Sequence, residues 1–389
     1  MRILLMSCGG TIVSPGEGRT SDKAIEKAAD TLKDAVMMEG FESELRRRAQ
    51  YLSSHVRKQI SGLIEIEGLD LLDKDSTEVG PTDWSLMINT ILDNYEKFDG
   101  FIITHGTNSL AYTSSALSFG LPTLGKPIVL TGANTPIGVP YSDALFNTAN
   151  AVLLMQKLVA EERAGVACVF ASKIMPGVRT KKSNGTELEA FRTFNAPDLG
   201  QVRPKEIILR NEEYEKYRRQ NGQSPWKNIP PAKTAHDLAK HSHLDFSAVI
   251  SSHTFHPGDD PRTYNAVLDD FRRLAAEPGA VKARGAMIIR AVGDGDTSKI
   301  LHERVFKRAH AEKVPIVVTT QEPQGTSSFK GNQQSADVEK FRLIPAWDMS
   351  IETMVVKLRY LLSSGKSYEE INEEFTKSYF GEISVKKDG

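Results

Sequence analysis

Short apolar runs alternate along this chain with longer segments in which apolar residues recur every three or four positions. The short runs end at turn-forming residues, which is typical of buried strands, and the longer periodic segments are typical of amphipathic helices. Alternation of this kind predicts a mainly parallel sheet covered by helices on both faces. The predicted strands are residues 3–6, 101–103, 127–130, 166–170, 248–251, 286–290 and 315–319.

Helical periodicity and capping residues predict the elements between these strands. One helix is expected to begin at Pro81, with Asp83 in its first turn, where the helix dipole favours an acidic residue. Another is expected to be capped by Ser142 and Asp143 and to end near Glu161. The other predicted helices are residues 23–38, 110–119, 261–275, 297–311, 350–362 and 368–376.

The composition changes between residues 203 and 244, where charged residues, tyrosines and prolines are crowded together. We interpret this segment as a linker between two domains, with a short helix in it. The predicted domains are then residues 1–202 and 245–389, each a doubly wound α/β unit with a mainly parallel sheet. The length of 389 residues agrees with this division, because one domain usually holds about 100–200 residues.

Composition and charge exclude several classes of protein. The formal net charge of −1 argues against a large surface for nucleic acid. The chain has no apolar run long enough to cross a bilayer, and its first apolar stretch is too short for a signal peptide. Its two cysteines, Cys8 and Cys168, imply no disulfide framework. We therefore expect a cytoplasmic protein that binds neither nucleic acid nor membranes.

A polar turn follows the predicted strand 101–103 and presents Thr107, Asn108 and Ser109 just before a helix. Open α/β sheets bind their ligands at the carboxyl ends of their strands, so this turn is a candidate site. The same residue types also cap helices by accepting hydrogen bonds from the first N–H groups. For this turn alone, a helix cap explains the residues as well as catalysis does.

A second turn of this kind follows the first predicted strand and contains Gly9, Gly10 and Thr11. Glycines at this place allow the backbone to approach a ligand closely, but their spacing is not that of a dinucleotide-binding loop. Thr11 is a candidate nucleophile, because its hydroxyl stands at the carboxyl end of a strand. Cys8 is a weaker candidate, since a lone cysteine beside a strand is usually a small packed apolar residue.

Two other polar clusters have ordinary explanations. His253 and His256, with Asp259 nearby, have the residue types of a metal site, but this spacing on a strand and loop does not place both rings on one face. We expect a polar loop there, and neither a metal nor a cofactor. The segment from Arg179 to Lys182 is basic and rich in turn formers, so taken alone it is expected to be a solvated surface loop.

The motifs together resemble those of the bacterial-type L-asparaginase/glutaminase family, in the same order and over nearly the whole chain. The motifs that match are Gly9-Gly10-Thr11, Asp75-Ser76-Thr77, His105-Gly106-Thr107-Asn108, Arg179-x-x-Lys182, and residues 127–133, 191–195, 199–200, 347–352 and 357–358. The resemblance implies an asparaginase-like fold of two α/β domains. It also implies hydrolysis of a small-molecule amide without a cofactor, in a homodimer or homotetramer.

The resemblance also implies a role for each motif residue. Thr11 would attack the side-chain amide carbon and form an acyl-enzyme, which water then cleaves. Thr107 and Lys182 would belong to a hydroxyl–ammonium–carboxylate relay, and Ser76 would bind the substrate α-carboxylate. A threonine hydroxyl needs such help, because it is a weak nucleophile without a base and an oxyanion site. Further substrate contacts are expected from Gly10, Thr77, Gly106 and Ala133.

The chain departs from the family pattern in its relay and in its lid. Asn108 stands where the family has the relay Asp, and Ser109 replaces the Thr that usually follows it. The family's lid carries a Tyr beside the nucleophile, but residues 1–50 contain no Tyr. Thr20 and Ser21 are the only lid hydroxyls near that place in the sequence.

Loss of the relay carboxylate has two predicted consequences. Without an anionic neighbour, Lys182 should lose its proton more easily and serve as a neutral base toward Thr107 or water. In the family this Asp also binds the substrate α-ammonium, so we expect a substrate without that group, such as an acylated, peptidic or cyclic amide. The segment Gly293–Asp296 matches one that in the family reaches into a neighbour's site, where the charge of Asp296 would partly substitute for the missing carboxylate. A simple glycine turn is the alternative explanation of this segment.

A non-enzymatic alternative stays open. A catalytically silent homologue would bind an amino-acid-like ligand or act as a partner subunit, and loss of the Asp and the lid Tyr agrees with that. Retention of Thr11, Thr107 and Lys182 favours an enzyme, because a binding protein has no need for both hydroxyls and the amine.

Overall fold

The computed structural model describes residues 1–10, 64–136, 141–203, 206–210, 212–213, 224–276, 285–329 and 335–384. The described residues form two compact α/β units. The first lies within Met1–Arg219 and Trp226–Leu244, and the second lies within Gln220–Pro225 and Asp245–Gly389. Each unit has its own sheet and its own hydrophobic core.

The first unit is built on one large sheet. Its described strands are β1 Arg2–Cys8, β2 Glu65–Leu72, β3 Gly100–His105, β4 Pro127–Thr131, β5 Gly165–Phe170, β6 Lys173–Pro176, β7 Thr180–Lys182, β8 Phe191–Thr193, β9 Gly200–Val202 and β10 Ile207–Leu209. Eight of them form a sheet in the order β10-β9-β6-β5-β4-β3-β1-β2. Neighbours from β2 to β5 run parallel, whereas β6, β9 and β10 pair antiparallel. Strands β7 and β8 form a separate antiparallel ribbon.

Helices cover this sheet. They are α1 Pro81–Asn94, α2 Leu110–Gly120, α3 Ala144–Ala160 and the short α4 Ala235–Ala239. Helix α1 begins as predicted, because Pro81 suits the first helical position and the Asp83 carboxylate accepts a hydrogen bond from the Gly80 N–H at 2.9 Å. Among the described residues, no helix is both long and apolar enough to cross a membrane.

The central strands are buried because helices cover the sheet. Every residue of β3 and β4 is buried, and in β1 only Arg2 is exposed. Ile102 and Val129 pack in one core with Val152 and Met155 of α3. Continuous apolar runs are typical of parallel strands covered on both faces, so the sequence pattern and the burial have the same cause.

The second unit repeats the arrangement on a smaller scale. Its strands β11 Val249–Thr254, β12 Gly285–Ala291, β13 Ile316–Thr320 and β14 Ile344–Pro345 form a parallel sheet in chain order. Its helices are α5 Pro261–Ala276, α6 Lys299–Leu301, α7 Lys307–Ala311, α8 Ser335–Phe341, α9 Ile351–Ser363 and α10 Tyr368–Phe375. A π-helical turn, His302–Phe306, joins α6 to α7.

The predicted strands and helices are confirmed wherever the structure describes them; the helix predicted for residues 23–38 lies outside the described residues.

The prediction of a solvated loop around Arg179 is wrong. Thr180–Lys182 is a strand paired with Phe191–Thr193, and Arg179 is only 1% exposed. Its Nη1 donates to the Phe194 carbonyl at 3.3 Å. Local charge density gave no sign of this partner strand.

The segment 203–244, predicted as a linker, supplies ordered parts of the first unit. Ile207–Leu209 pairs antiparallel with Gly200–Val202 at the edge of the large sheet. Helix Ala235–Ala239 also belongs to this unit. The prolines and charges in the segment suggested a linker, but three apolar residues are enough to add an edge strand.

A buried ion pair holds the end of the second unit. Lys357 and Glu382 are both fully buried, and their charged groups lie 2.7 Å apart. The Lys357 ammonium also donates to the Lys377 carbonyl. The Glu382 carboxylate accepts from the N–H groups of Tyr379, at 2.9 Å, and Phe380, at 2.7 Å. The pair therefore ties the segment after α10 to α9.

We expect Lys357→Met to lower the free energy of unfolding of the second unit by about 3–5 kcal/mol, because it leaves the Glu382 charge buried and unpaired. Lys377→Met is the matched control. Its ammonium lies 2.7 Å from a Glu373 carboxylate that is 70% exposed, and such surface pairs contribute about 0–1 kcal/mol. Amide hydrogen exchange of residues 351–363 under native conditions measures both changes. Equal effects of the two substitutions would contradict the assignment.

Candidate active site

The turns after β1, β2, β3 and β4 lie at one edge of the large sheet. These four strands are neighbours and run parallel, so their carboxyl ends point the same way. The turns contain, respectively, Gly10, Ser76, Gly106 and Ala133. The predicted substrate-binding positions of the first unit are therefore carried by adjacent turns of one sheet edge, the usual place for ligands in open α/β sheets.

Glycine is required where these turns touch. A Cβ atom at Gly10, whose φ is +84°, would lie 2.4 Å from the Gly106 Cα. A Cβ atom at Gly106 would lie 2.6 Å from the Ser76 Cβ. No real Cβ atom tolerates such distances from its neighbours. The backbone of the β3 turn therefore packs directly against the turns after both β1 and β2.

The turn after β2 is a single 3-10 turn, Ser76–Glu78, held by its own polar groups. The Asp75 carboxylate accepts hydrogen bonds from both the N–H and the hydroxyl of Thr77, each at 2.7 Å. These bonds lower the pKa of Asp75. Ser109 donates its hydroxyl to the Ser76 carbonyl and joins this turn to the next one. Ser76 is thus fixed and nearly buried, at 3% exposure.

The predicted relay residues are in contact. The Lys182 Nζ lies 2.8 Å from the Thr107 Oγ1 and 2.9 Å from the Asn108 Oδ1, so the ammonium donates to both oxygens. Strand β7 carries Lys182 to this place, and the lysine is half-buried. Burial lowers the pKa of Lys182, which favours the neutral amine. Hydroxyl, amine and amide thus meet although 75 residues separate Lys182 from Thr107.

An unpredicted network holds the turn after β4. The Asp143 carboxylate, predicted to cap α3, instead accepts from the N–H groups of Asn134, at 3.1 Å, and Thr135, at 2.9 Å. Asn147 donates to the Gly132 carbonyl at 2.9 Å and to Asp143 at 3.1 Å. Ala133 lies between these contacts and is fully buried. Asp143 and Asn147 are one helical turn apart, a spacing that places both side chains on one face of α3.

A second unpredicted network lies beneath the β3 turn. The His105 Nδ1 lies 2.8 Å from the Gly106 carbonyl oxygen, and its Nε2 lies 3.0 Å from the Thr113 Oγ1. The Trp84 indole donates to the same Thr113 oxygen at 3.1 Å. All three side chains are buried, and burial lowers the pKa of His105 to about 4. The imidazole is therefore neutral at physiological pH.

Thr11, the predicted nucleophile, lies outside the described residues, as do Thr20 and Ser21. Cys8 is fully buried, and burial raises the pKa of its thiol, so it is an unreactive packed residue as expected.

Asp296 belongs to the second unit, where its N–H donates to the Val292 carbonyl at 2.8 Å and closes a glycine turn.

The two histidines considered as metal ligands have other partners. The His253 ring contacts the Ser251 hydroxyl at 2.9 Å, and the His256 ring lies 2.8 Å from the Asp259 carboxylate. Tyr264 also donates to Asp259, at 2.6 Å. Among the described residues, no group of three or more histidine, cysteine or acidic side chains is arranged to hold a metal ion.

The site places a lysine amine against a threonine hydroxyl at the carboxyl edge of a parallel sheet, beside turns whose backbone is exposed to each other. Such an arrangement is suited to acyl transfer. The amine accepts a proton when neutral, and backbone N–H groups stabilise an oxyanion. Fold and site together fit an α/β enzyme that works by acyl transfer.

Comparison with known proteins identifies the family. The asparaginase N-terminal model matches residues 2–215, and the glutaminase/asparaginase C-terminal domain model matches residues 250–375. The chain therefore belongs to the asparaginase family, which confirms the resemblance inferred from its motifs.

Individual relatives agree with this assignment. The chain is 29% identical to the L-asparaginase of Thermococcus kodakarensis over 99% of both chains. The solved structure of that thermostable enzyme gives a TM-score of 0.73 and covers 99% of this chain and 100% of its own. L-asparaginase I from Vibrio cholerae gives a TM-score of 0.70 at 26% identity, over 99% of each chain. A glutamyl-tRNA(Gln) amidotransferase component from Aeropyrum pernix is 26% identical over 98% of this chain and 79% of its own.

We expect Gly106→Ala to lower the free energy of unfolding of the first unit by about 1–3 kcal/mol, because the added methyl group forces the β3 turn away from Ser76. Gly185→Ala is the matched control, since a Cβ atom there meets nothing within 4 Å. Denaturant unfolding followed by the fluorescence of Trp84, with Trp226 and Trp347 replaced by Phe in both proteins, compares the two. A Gly106→Ala protein as stable as Gly185→Ala would show that the turns do not touch.

Proposed function

We propose that this protein hydrolyses a carboxamide through an acyl-enzyme formed on Thr11. The single observation that carries the proposal is the contact of Lys182 with Thr107, 2.8 Å between amine and hydroxyl, in the turn that packs against Gly10. Thr11 follows Gly10 directly in the sequence. Its role is supported by the Gly-Gly-Thr motif and by membership of the asparaginase family.

The proposed reaction has two halves. In the first, the Thr11 oxygen adds to the amide carbon, its proton passes by way of a base to the leaving nitrogen, and ammonia departs. In the second, water adds to the ester carbon, gives up a proton, and releases the acid and the Thr11 hydroxyl. Neutral Lys182 accepts a proton through the Thr107 oxygen, and the lowered pKa of Lys182 favours this neutral form.

The substrate is proposed to lack a free α-ammonium group. Asn108 stands where a carboxylate would balance that charge, and its Oδ1 already accepts from Lys182 at 2.9 Å. Its remaining polar group is an NH₂, which donates hydrogen bonds and repels an ammonium. An acylated, peptidic or cyclic amide has a hydrogen-bond acceptor in place of the ammonium, and that acceptor suits the Asn108 NH₂ donor.

A partner-subunit role is the second candidate. It is favoured by the neutral residue in the relay and by similarity to the amidotransferase component from Aeropyrum pernix. In this case the chain binds an amide-like ligand or another protein without turning over by itself. A homodimer or homotetramer, and a place in the cytoplasm, stay predictions under both proposals.

Ammonia release from L-asparagine, L-glutamine, N-acetyl-L-asparagine and an asparaginyl dipeptide tests the function. We expect turnover of at least one amide and an acyl adduct on Thr11 by mass spectrometry. Thr11→Val should lower kcat roughly a thousandfold or more, and Lys182→Met about 10²–10⁴-fold. Lys181→Met is the control, because that lysine stacks on Phe194 with its Nζ 5.1 Å from the ring centre. No turnover and no adduct with any of these amides would support the partner-subunit role.

Asn108→Asp should raise kcat/KM for L-asparagine relative to N-acetyl-L-asparagine about tenfold or more, because it restores a carboxylate for the α-ammonium. The same carboxylate stabilises the Lys182 ammonium and raises its pKa, so the rise of kcat/KM with pH should move to higher pH. Asn94→Asp is the matched control, since the Asn94 oxygen also accepts from a lysine, Lys97, at 3.2 Å. A native protein that already prefers L-asparagine would overturn the substrate proposal.

A further inference from the structure

We propose that His105 is a positioning residue that fixes the peptide between Gly106 and Thr107, and with it the direction in which Thr107 meets Lys182. The inference rests on the proposed function, because it assigns the buried network beneath the β3 turn to the reaction of that site. His105 has no contact with the reacting groups in this role. It acts through one backbone carbonyl.

Every hydrogen bond of the network has a defined direction. An indole N–H only donates, so Thr113 accepts from Trp84 across 3.1 Å. A carbonyl only accepts, so the His105 Nδ1 carries a hydrogen and donates it to the Gly106 oxygen across 2.8 Å. In the neutral ring the Nε2 is then an acceptor, and it receives the Thr113 hydroxyl hydrogen across 3.0 Å. One tautomer alone satisfies all three bonds.

Burial keeps this arrangement in place. His105 and Thr113 are fully buried, and Trp84 is 3% exposed. Within the part of the chain that the structure describes, the carboxylate that acts on the ring is Asp83 of α1, which is paired with the Lys74 ammonium at 2.6 Å. An unsatisfied polar group in such a place is costly, so loss of one partner shifts the others.

The carbonyl of Gly106 determines the orientation of the next residue. A trans peptide is planar, so the Thr107 N–H points opposite to the Gly106 oxygen that His105 holds. A glycine has little backbone preference of its own, so Gly106 does not fix this plane without a partner. The Thr107 side chain follows its backbone, and its hydroxyl then lies 2.8 Å from the Lys182 Nζ.

The turn after β4 packs against one side of the β3 turn, but the hydrogen-bond partner of the Gly106 carbonyl is the His105 ring. A Cβ atom at Gly132 would lie 2.4 Å from the His105 carbonyl oxygen and 3.5 Å from the Thr107 Cγ2. The turn after β4 therefore packs against the backbone before and the side chain after this peptide. The hydrogen bond from His105 is the contact that selects the rotation of the peptide itself.

Substitutions at Thr113 test the inference without changing any group in the site. Thr113→Val keeps the shape but removes the hydroxyl that fixes the tautomer, and Thr113→Ser keeps the hydroxyl. We expect Thr113→Val to lower kcat about tenfold or more while KM changes less than about twofold, and Thr113→Ser to stay within about twofold of wild type. Equal kcat and KM in wild type and Thr113→Val, at equal stability, would overturn the inference.

Substitutions of the histidine separate its two nitrogens. Asn at position 105 retains a donor near Nδ1, whereas Gln retains polar atoms near Nε2 only. His105→Asn should therefore keep a larger kcat than His105→Gln, by about tenfold, although both lose the ring and its packing. The reverse order would contradict a role that depends on the bond to Gly106.

A measurement without turnover separates this inference from the proposed function. In the ¹⁵N spectrum of histidine-labelled protein, His105 should show the Nδ1–H tautomer and stay unprotonated at pH 6. In uniformly ¹⁵N-labelled protein, the Thr107 amide signal should shift in Thr113→Val and keep its wild-type position in Thr113→Ser. If wild-type protein hydrolyses no amide, the proposed function fails, and these spectra alone decide whether His105 fixes the peptide. An Nε2–H tautomer in the wild-type protein, or a Thr107 amide signal that does not move in Thr113→Val, would overturn the inference.

Discussion

The site depends on direct backbone contact between turns that leave neighbouring strands. Adjacent strands lie about 4.8 Å apart, so side chains at their ends normally keep the following turns separate. Gly10 and Gly106 remove that obstacle, and Ser76 fills the remaining space. Because the turns touch, the polar groups on them keep a constant spacing without any ligand to hold them. The cost is a left-handed backbone at Gly10, which only glycine adopts readily.

The proposed function depends further on the electrostatics of one lysine. A lysine ammonium between a hydroxyl and a carboxylate keeps its proton, but Lys182 has the neutral Asn108 as its second acceptor. Burial then acts on its pKa without an opposing anion from the relay, and the direction is downward. The same replacement alters the charge that a substrate meets. Under the proposed function, the basicity of Lys182 and the choice of substrate are therefore linked through the side chain at position 108, and a change there is expected to affect both.

Part of this was predictable from the sequence, for physical reasons that differ between residues. The strands around Phe101 and Ile128 follow from local apolar runs, and the contact of Thr107 with Lys182 follows from family motifs. The role of Asp143 does not, because a helix cap and a loop anchor have the same local sequence. Nor does the His105 network, because its other members, Trp84 and Thr113, belong to two different helices. Only the packing of those helices shows that they share one hydroxyl oxygen.

The glycine contacts also limit how this scaffold diverges. Where two turns touch through backbone atoms, every substitution of the glycine adds a side chain and pushes the turns apart. These positions therefore cannot change in small steps. Asn108 is exposed, and its side chain accepts a hydrogen bond from Lys182, so we expect it to accept new side chains without disturbing the glycine contacts. New specificities in such a protein should accumulate at the few side chains that border the site, while the glycines stay unaltered through long lineages.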